Sequence, residues 1–351
     1  MHTKAAISAA LLLFCFSAGE SLAQSTPKGA LLILAKRDQT LAIVDPATLK
    51  VVKRVPVGND PHEVIASSDG KTAYASNYGG GAYNSLAVVD LIGQKALPAI
   101  DLGPLGGPHG LTFVGDKPWF TAEAAKVIGR YDPATNKVDW VLGTGQNRTH
   151  MIYVSSDQQR IITTNVSSAT VSIIDKITIN PGPPPGAPQG PPPGGAMGRP
   201  RTDWDETVVP VGKGGEGFDV SPNEKELWVA NAQDGTVSII DIDAKKVTKT
   251  LSANVVGANR LKFTPDGKLV FISSLRSPDV TVLDATTRKE VKRIPVGHGA
   301  AGILMQPDGA RVFVACSPDD YVTVIDLKSM QVTGHIDAGH EPDGMAWAVQ
   351  R

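Results

Sequence analysis

The six residues TVSIID occur twice, at 170–175 and again at 236–241. Five more stretches share their form, an alternating apolar run that ends in Asp. They are TLAIVD at 40–45, SLAVVD at 85–90, VIGRYD at 127–132, DVTVLD at 279–284 and YVTVID at 321–326. Alternation of this kind marks a half-buried β-strand, not a helix. The closing residues are Asp45, Asp90, Asp132, Asp175, Asp241, Asp284 and Asp326, with successive spacings of 45, 42, 43, 66, 43 and 42. A fixed period of this length belongs to a repeat architecture whose units bury their apolar faces only against one another.

Each run is preceded by a second apolar segment: LLILAK, TAYASN, WFTAEA, RIITTN, LWVAN, VFISS or VFVAC. Each is followed by a third, such as VVKRVPVG from Val51 or EVKRIPVG from Glu290, and a short connection leads to a fourth, such as HEVIASSDG or DGMAWA. Turn signals such as Ser68-Asp69-Gly70, Pro265-Asp266-Gly267 and Pro307-Asp308-Gly309 close the hairpins. Four strands per ~42 residues is the unit of a β-propeller blade. The expected fold is therefore all-β: a seven-bladed propeller over 27–351, with four antiparallel strands per blade. The repeat begins on a second strand (31–35) and ends on an innermost one (344–349), so the two ends should complete one blade, close the ring and leave no bare edge.

The phrases TVSIID, VPVG, SPN and LWVAN resemble the YVTN-family β-propeller repeat, which is related in pattern to WD40-like repeats and to the cytochrome d1 and lactonase-type seven-bladed propellers. The Tyr-Val-Thr-Asn phrase itself is degraded, its nearest copy being Tyr74-Ala75-Ser76-Asn77. The resemblance implies the fold across nearly the whole chain, and it implies little about function, because such repeats host several activities.

Residues 1–23 read as a cleavable signal peptide: Lys4, an apolar run over 5–16 broken only by Ser8, and the small-x-small site Ser21-Leu22-Ala23. The expected location is periplasmic or secreted, with no transmembrane segment. Beyond residue 23 one cysteine remains, Cys316, so an internal disulfide is excluded. With 34 basic and 35 acidic residues the net charge is −1, which argues against a nucleic-acid partner. The long spacing after Asp175 reflects an insertion at 179–206. Its core, 181–200, holds nine Pro and six Gly, a composition that predicts disorder or polyproline-like chain between the third and fourth strands of blade four. A partner that reads extended Pro-rich chain could dock there. The seven aspartates read as turn chemistry, accepting backbone N–H groups two residues on.

A propeller binds ligands at a mouth of its channel, and the residue at the start of each innermost strand forms a ring there. The ring reads His62, His109, His150, Glu216, Asn259, Ala301 and Asp343. His298 and His340 occupy equivalent places on adjacent entering loops, so five of the six histidines beyond residue 23 fall on one mouth, and His335 lies in an outer strand. His62, His109, His150, Glu216, Asn259 and Asp343 are the candidate ligand-binding residues. The first four, with His298 and His340 behind them, are the candidate ligands for a divalent transition metal. A sheet spacing of ~10 Å puts three histidines at the limit of reach of one ion. Gly79-Gly80-Gly81 reads as a flexible lip. No H-E-x-x-H, G-x-S-x-G or Walker loop is present, and the missing C-x-x-C-H excludes covalent c-type heme attachment. No catalytic residues are assigned. The expectation is an exported binding module or scaffold that engages a small organic ligand or a protein at the histidine mouth. The alternative is a periplasmic enzyme or redox accessory protein, lactonase-like or metal-binding.

Overall fold

The computed structural model describes residues 29–180 and 200–350. Among them, twenty-eight strands form seven four-stranded antiparallel sheets arranged as the blades of a propeller. The signal-peptide expectation and the Pro/Gly core of the insertion lie outside the described residues. No described helix is long and apolar enough to cross a membrane.

Blade one closes the ring. Its innermost strand is Pro342–Val349, paired with Gly29–Ala35 in a register from Gly29↔Val349 to Ile33↔Met345, and Thr40–Asp45 and Lys50–Pro56 follow outward. The remaining six blades are continuous in sequence. Alternation along the second and third strands feeds apolar clusters between neighbouring blades, with Trp119, Trp228, Phe120, Phe271 and Phe313 fully buried. Each such side chain gains roughly 2–3 kcal/mol by burial, which lets the fold stand without a disulfide.

The strand-end aspartates behave as turn residues in six blades. Asp45 accepts from Ala47 N (2.8 Å), Asp132 from Ala134 N (2.9 Å), Asp241 from Ala244 N (2.8 Å) and Asp284 from Thr286 N (3.0 Å). Asp175 differs because its strand does not stop there. Thr170–Ile179 pairs with Arg201–Pro210 as a ten-residue hairpin, and Asp175 instead holds Arg160 (2.6 Å) and Lys245 (2.7 Å). The insertion expected over 179–206 is thus too wide: Ile179 and 201–206 are ladder. Backbone pairing continues up to the Pro/Gly-rich stretch, and Trp204 extends an aromatic row with Trp140 and Trp119 at centroid distances of 5.4 and 5.2 Å.

Candidate ligand site at the histidine mouth

The first residues of the innermost strands are not regular ladder. In all seven blades the register shifts just after the first pair, for example between Pro61↔Asn77 and Val64↔Ala75, and again between Thr149↔Asn165 and Ile152↔Thr163. Each ring residue sits on such a bulge, a device that bends a strand and re-aims its side chains. Hydroxyls on the second strands satisfy the freed amides: Ser76 accepts from Glu63 N (3.1 Å), and Thr121 from Gly110 N (2.9 Å). The same hydroxyls donate to the next blade's ring residue, Ser76 to His109 O (2.9 Å), Thr121 to His150 O (2.5 Å) and Thr164 to Glu216 O (2.8 Å). The Ser/Thr-Asn ending of the repeat phrase therefore stitches neighbouring blades together around the mouth.

The ring is far tighter than sheet spacing suggests. A Cβ built on Gly110, Gly217, Gly302 or Gly344 would lie within 2.4 Å of the carbonyl oxygen of His150, Asn259, Asp343 or His62 respectively. Glycine at these positions lets the innermost strands converge on the axis, so the expectation of three histidines at the limit of reach is corrected. The rings of His109 and His150 lie 3.8 Å apart, and those of His62 and His109 5.1 Å apart.

His150 is buried between two carboxylates. Its Nδ1 contacts Glu123 Oε1, and its Nε2 lies 2.8 Å from Glu216 Oε1. Burial alone would push this imidazole down, but Glu216 and Glu123 outweigh it and hold it above its ordinary value. Burial likewise works against Glu216, yet His150 and Arg148 bring it down to about 2. Glu123 is also held below the usual carboxylate range: burial opposes this, and His150, Tyr78 and Arg148 prevail. Tyr78 donates its hydroxyl to Glu123 (2.6 Å), and burial followed by Glu123 pushes it up to about 12. Arg148 spans both acids, at 3.5 Å from Glu123 and 3.4 Å from Glu216. Two carboxylates thus face one imidazole and one guanidinium. His109 stands beside them without a charge: burial, then His150, drive it well below the ordinary histidine value, and its Nδ1 is buried with no hydrogen-bond partner.

The other ring positions are engaged elsewhere. Asn259 donates to Ala301 O (2.8 Å), and Asp343 pairs with Lys36 (3.0 Å). Arg260 crosses the channel to Glu63 (2.5 Å) just below the ring. His298 and His340 are exposed and clasped by Asp319 and Asp38, each of which accepts from the histidine's own backbone N–H (2.6 and 2.8 Å). The triple glycine is a defined 3-10 turn and not a loose lip: Gly79, Gly80 and Gly81 all take positive φ, and Gly79 N donates to Asp60 (2.9 Å). His335 is exposed on its outer strand, its ring against Tyr321.

Among the described residues, the side chains close enough to share an ion are His109, Glu123 and His150, whose ligand atoms lie within 4.8 Å of one another. Of the other expected ligands, His62 packs against His109 outside this cluster, Glu216 lies on the far nitrogen of His150, and His298 and His340 sit in separate clasps.

Residues 197–309 match the family model described as the cytochrome D1 heme domain. No curated protein matches the chain in sequence. Among solved structures, a functionally unknown protein from Desulfotomaculum acetoxidans aligns at 13% identity and TM-score 0.70, covering 91% of this chain and 98% of its own. A putative 6-phosphogluconolactonase from Bacteroides uniformis aligns at 14% identity and TM-score 0.68, covering 91% and 99%. Hydrazine synthase from Kuenenia stuttgartiensis aligns at 16% identity and TM-score 0.63, covering 82% and 89%. The resemblance to cytochrome d1 and lactonase-type propellers is borne out in the fold, and at these identities the likeness is one of fold.

The matched residues 197–309 include Glu216 but none of His62, His109 and His150. The three imidazoles pack tilted against one another at 5.1 and 3.8 Å, which leaves no gap for a tetrapyrrole between them as they are arranged. Glu123, Arg148 and Tyr78 were missed by the ring alignment because they lie just off it. Tyr78 and Glu123 hold the same place after the second strand in adjacent blades. Arg148 occupies a left-handed position (φ 57) that is glycine in four other blades, Gly107, Gly214, Gly257 and Gly299. An arginine where the repeat uses glycine costs ~1 kcal/mol, and it was the legible signal of this site.

Proposed function

We propose that the protein is an exported binding module whose histidine mouth takes a divalent transition metal at His109, His150 and Glu123. Two observations carry this reading: the ligand atoms of His109, Glu123 and His150 lie within 4.8 Å of one another, and His109 is buried with its Nδ1 unpartnered. Two imidazoles and a carboxylate suit zinc, copper or nickel. Bonds of ~2.1 Å in a tetrahedron bring ligand atoms to ~3.4 Å, so modest side-chain movement closes the set. The metal would take the place of the His150 proton, and Glu216 and Arg148 would remain to orient and balance the cluster. Binding should therefore release protons. Calorimetric titration with Zn²⁺ in two buffers of different ionisation enthalpy tests this. Release of about one proton per bound ion supports the reading; binding without proton release argues against displacement at His150.

The enzyme alternative has less support. Both His150 nitrogens face carboxylates, and burial pushes the Cys316 thiol up to about 11. Neither is a ready base or nucleophile. A small organic ligand or a protein partner at the same mouth would engage the exposed His298 and His340 more readily than the buried cluster.

A further inference from the structure

The half of the channel away from the histidine mouth holds a separate cavity of about 400 Å³. Every blade contributes to its wall through the later residues of an innermost strand, and none of the seven ring residues lines it. The Glu63–Arg260 pair (2.5 Å) crosses the channel at its inner end. Beyond that pair the wall carries Phe113, Tyr153, Leu304, Met345 and Trp347, all only half-buried despite their place inside the ring.

Concave sites of 300–1,000 Å³ that combine apolar and aromatic side chains with placed polar groups are the usual form of small-molecule sites, and this wall sets its aromatics beside Glu63, Asp219, Arg260 and Lys262. The charges here are spent on one another. Glu63 holds Arg260, and Asp219 accepts from Lys262 (3.0 Å) and from Phe263 N (2.9 Å). The cavity thus offers a charged ligand no free counter-ion, and desolvating such a ligand would go uncompensated. The Tyr153 hydroxyl is likewise taken up, donating to Glu224 (3.0 Å).

We propose that this cavity is a second ligand site, distinct from the histidine mouth, for a compact, uncharged aromatic or apolar molecule. It is independent of the metal reading. The test uses the full mature chain and the neutral fluorophore N-phenyl-1-naphthylamine, with anionic 8-anilino-1-naphthalenesulfonate for comparison. The expected result is saturable one-to-one binding of the neutral probe, at least tenfold tighter than the anionic one, with energy transfer from tryptophan. Thr112→Trp, which adds bulk to the cavity wall, should weaken neutral-probe binding at least tenfold, whereas Val291→Trp, on an exposed outer strand, should leave it unchanged. If Thr112→Trp does not fold, Ala66→Leu adds a smaller volume to the same wall and should weaken binding severalfold. Non-saturable binding, equal affinity for the two probes, or wild-type affinity in the cavity variants would overturn the proposal.

Discussion

At the end of the channel where the innermost strands begin, the side chains on the bulges include His62, His109, His150 and Glu216. A few residues further along those strands, the wall is Phe113, Tyr153, Leu304 and Trp347. One end is filled by a buried cluster of imidazole, carboxylate and guanidinium side chains, and the other is open, its wall shared by apolar side chains and paired charges. The repeat supplies the same backbone to both. What separates them is the bulge, which re-aims one residue per blade into the mouth, and the regular ladder beyond it, which returns side chains to the wall. The Glu63–Arg260 pair stands at the boundary.

Removing the strand common to both ends should have the largest effect. Deletion of 340–351 strips Gly29–Ala35 of its partner and loses the buried Ala346 and Ala348. It should cost several kcal/mol and lower the melting temperature by roughly 10 °C or more. An unchanged melting temperature would show that the ring does not depend on this closure.

The boundary itself comes next. Arg260→Met leaves the half-buried Glu63 without its partner, and chemical denaturation should show a loss of about 1–3 kcal/mol. The double variant Glu63→Leu/Arg260→Met should recover most of it, since no lone charge remains. Equal losses in the two variants would mean that packing, and not the ion pair, matters at this level.

The polar end should also show in the acid limb of stability. Glu216 is held at about 2, below its ordinary 4.5. Its contribution is full above pH ~4.5 and is lost as pH falls towards ~2, on the order of 3 kcal/mol. Glu216→Gln should flatten this limb, as followed by melting temperature between pH 2 and 6. Coincident profiles for the two proteins would contradict the coupling to His150 and Arg148.

The smallest effect belongs to the far-face turns. Asp241→Ala removes an acceptor for Ala244 N (2.8 Å) and should cost about 1 kcal/mol by denaturant titration, with metal affinity unchanged. A change in affinity would link the turns to the mouth.

The fold was legible because alternation and spacing are local properties of the chain. The seven TVSIID-like runs placed every blade, and counting back from the turns placed all seven ring residues on one mouth. The cluster was only half legible. His109 and His150 could be aligned, but their separation could not, since it depends on glycines at 110, 217, 302 and 344 admitting a neighbour's carbonyl. Glu123 and Tyr78 sit one residue beyond their strands, where a strand alignment stops looking. Arg148 was visible only as one of three residues, with Asp60 and Glu341, that break a glycine pattern. The second cavity left no trace in any single strand, because its wall takes side chains from all seven blades.

The most direct test of the central claim is calorimetric titration of the untagged protein with Zn²⁺, Cu²⁺ and Ni²⁺, beside Glu123→Gln, His109→Ala and His298→Ala. Micromolar or tighter binding is expected for the wild type and for His298→Ala. Glu123→Gln and His109→Ala should each lose on the order of 100-fold in affinity while keeping the wild-type circular dichroism spectrum. Equal affinities in all four proteins, or no binding below millimolar concentrations in the wild type, would contradict a metal site at this mouth.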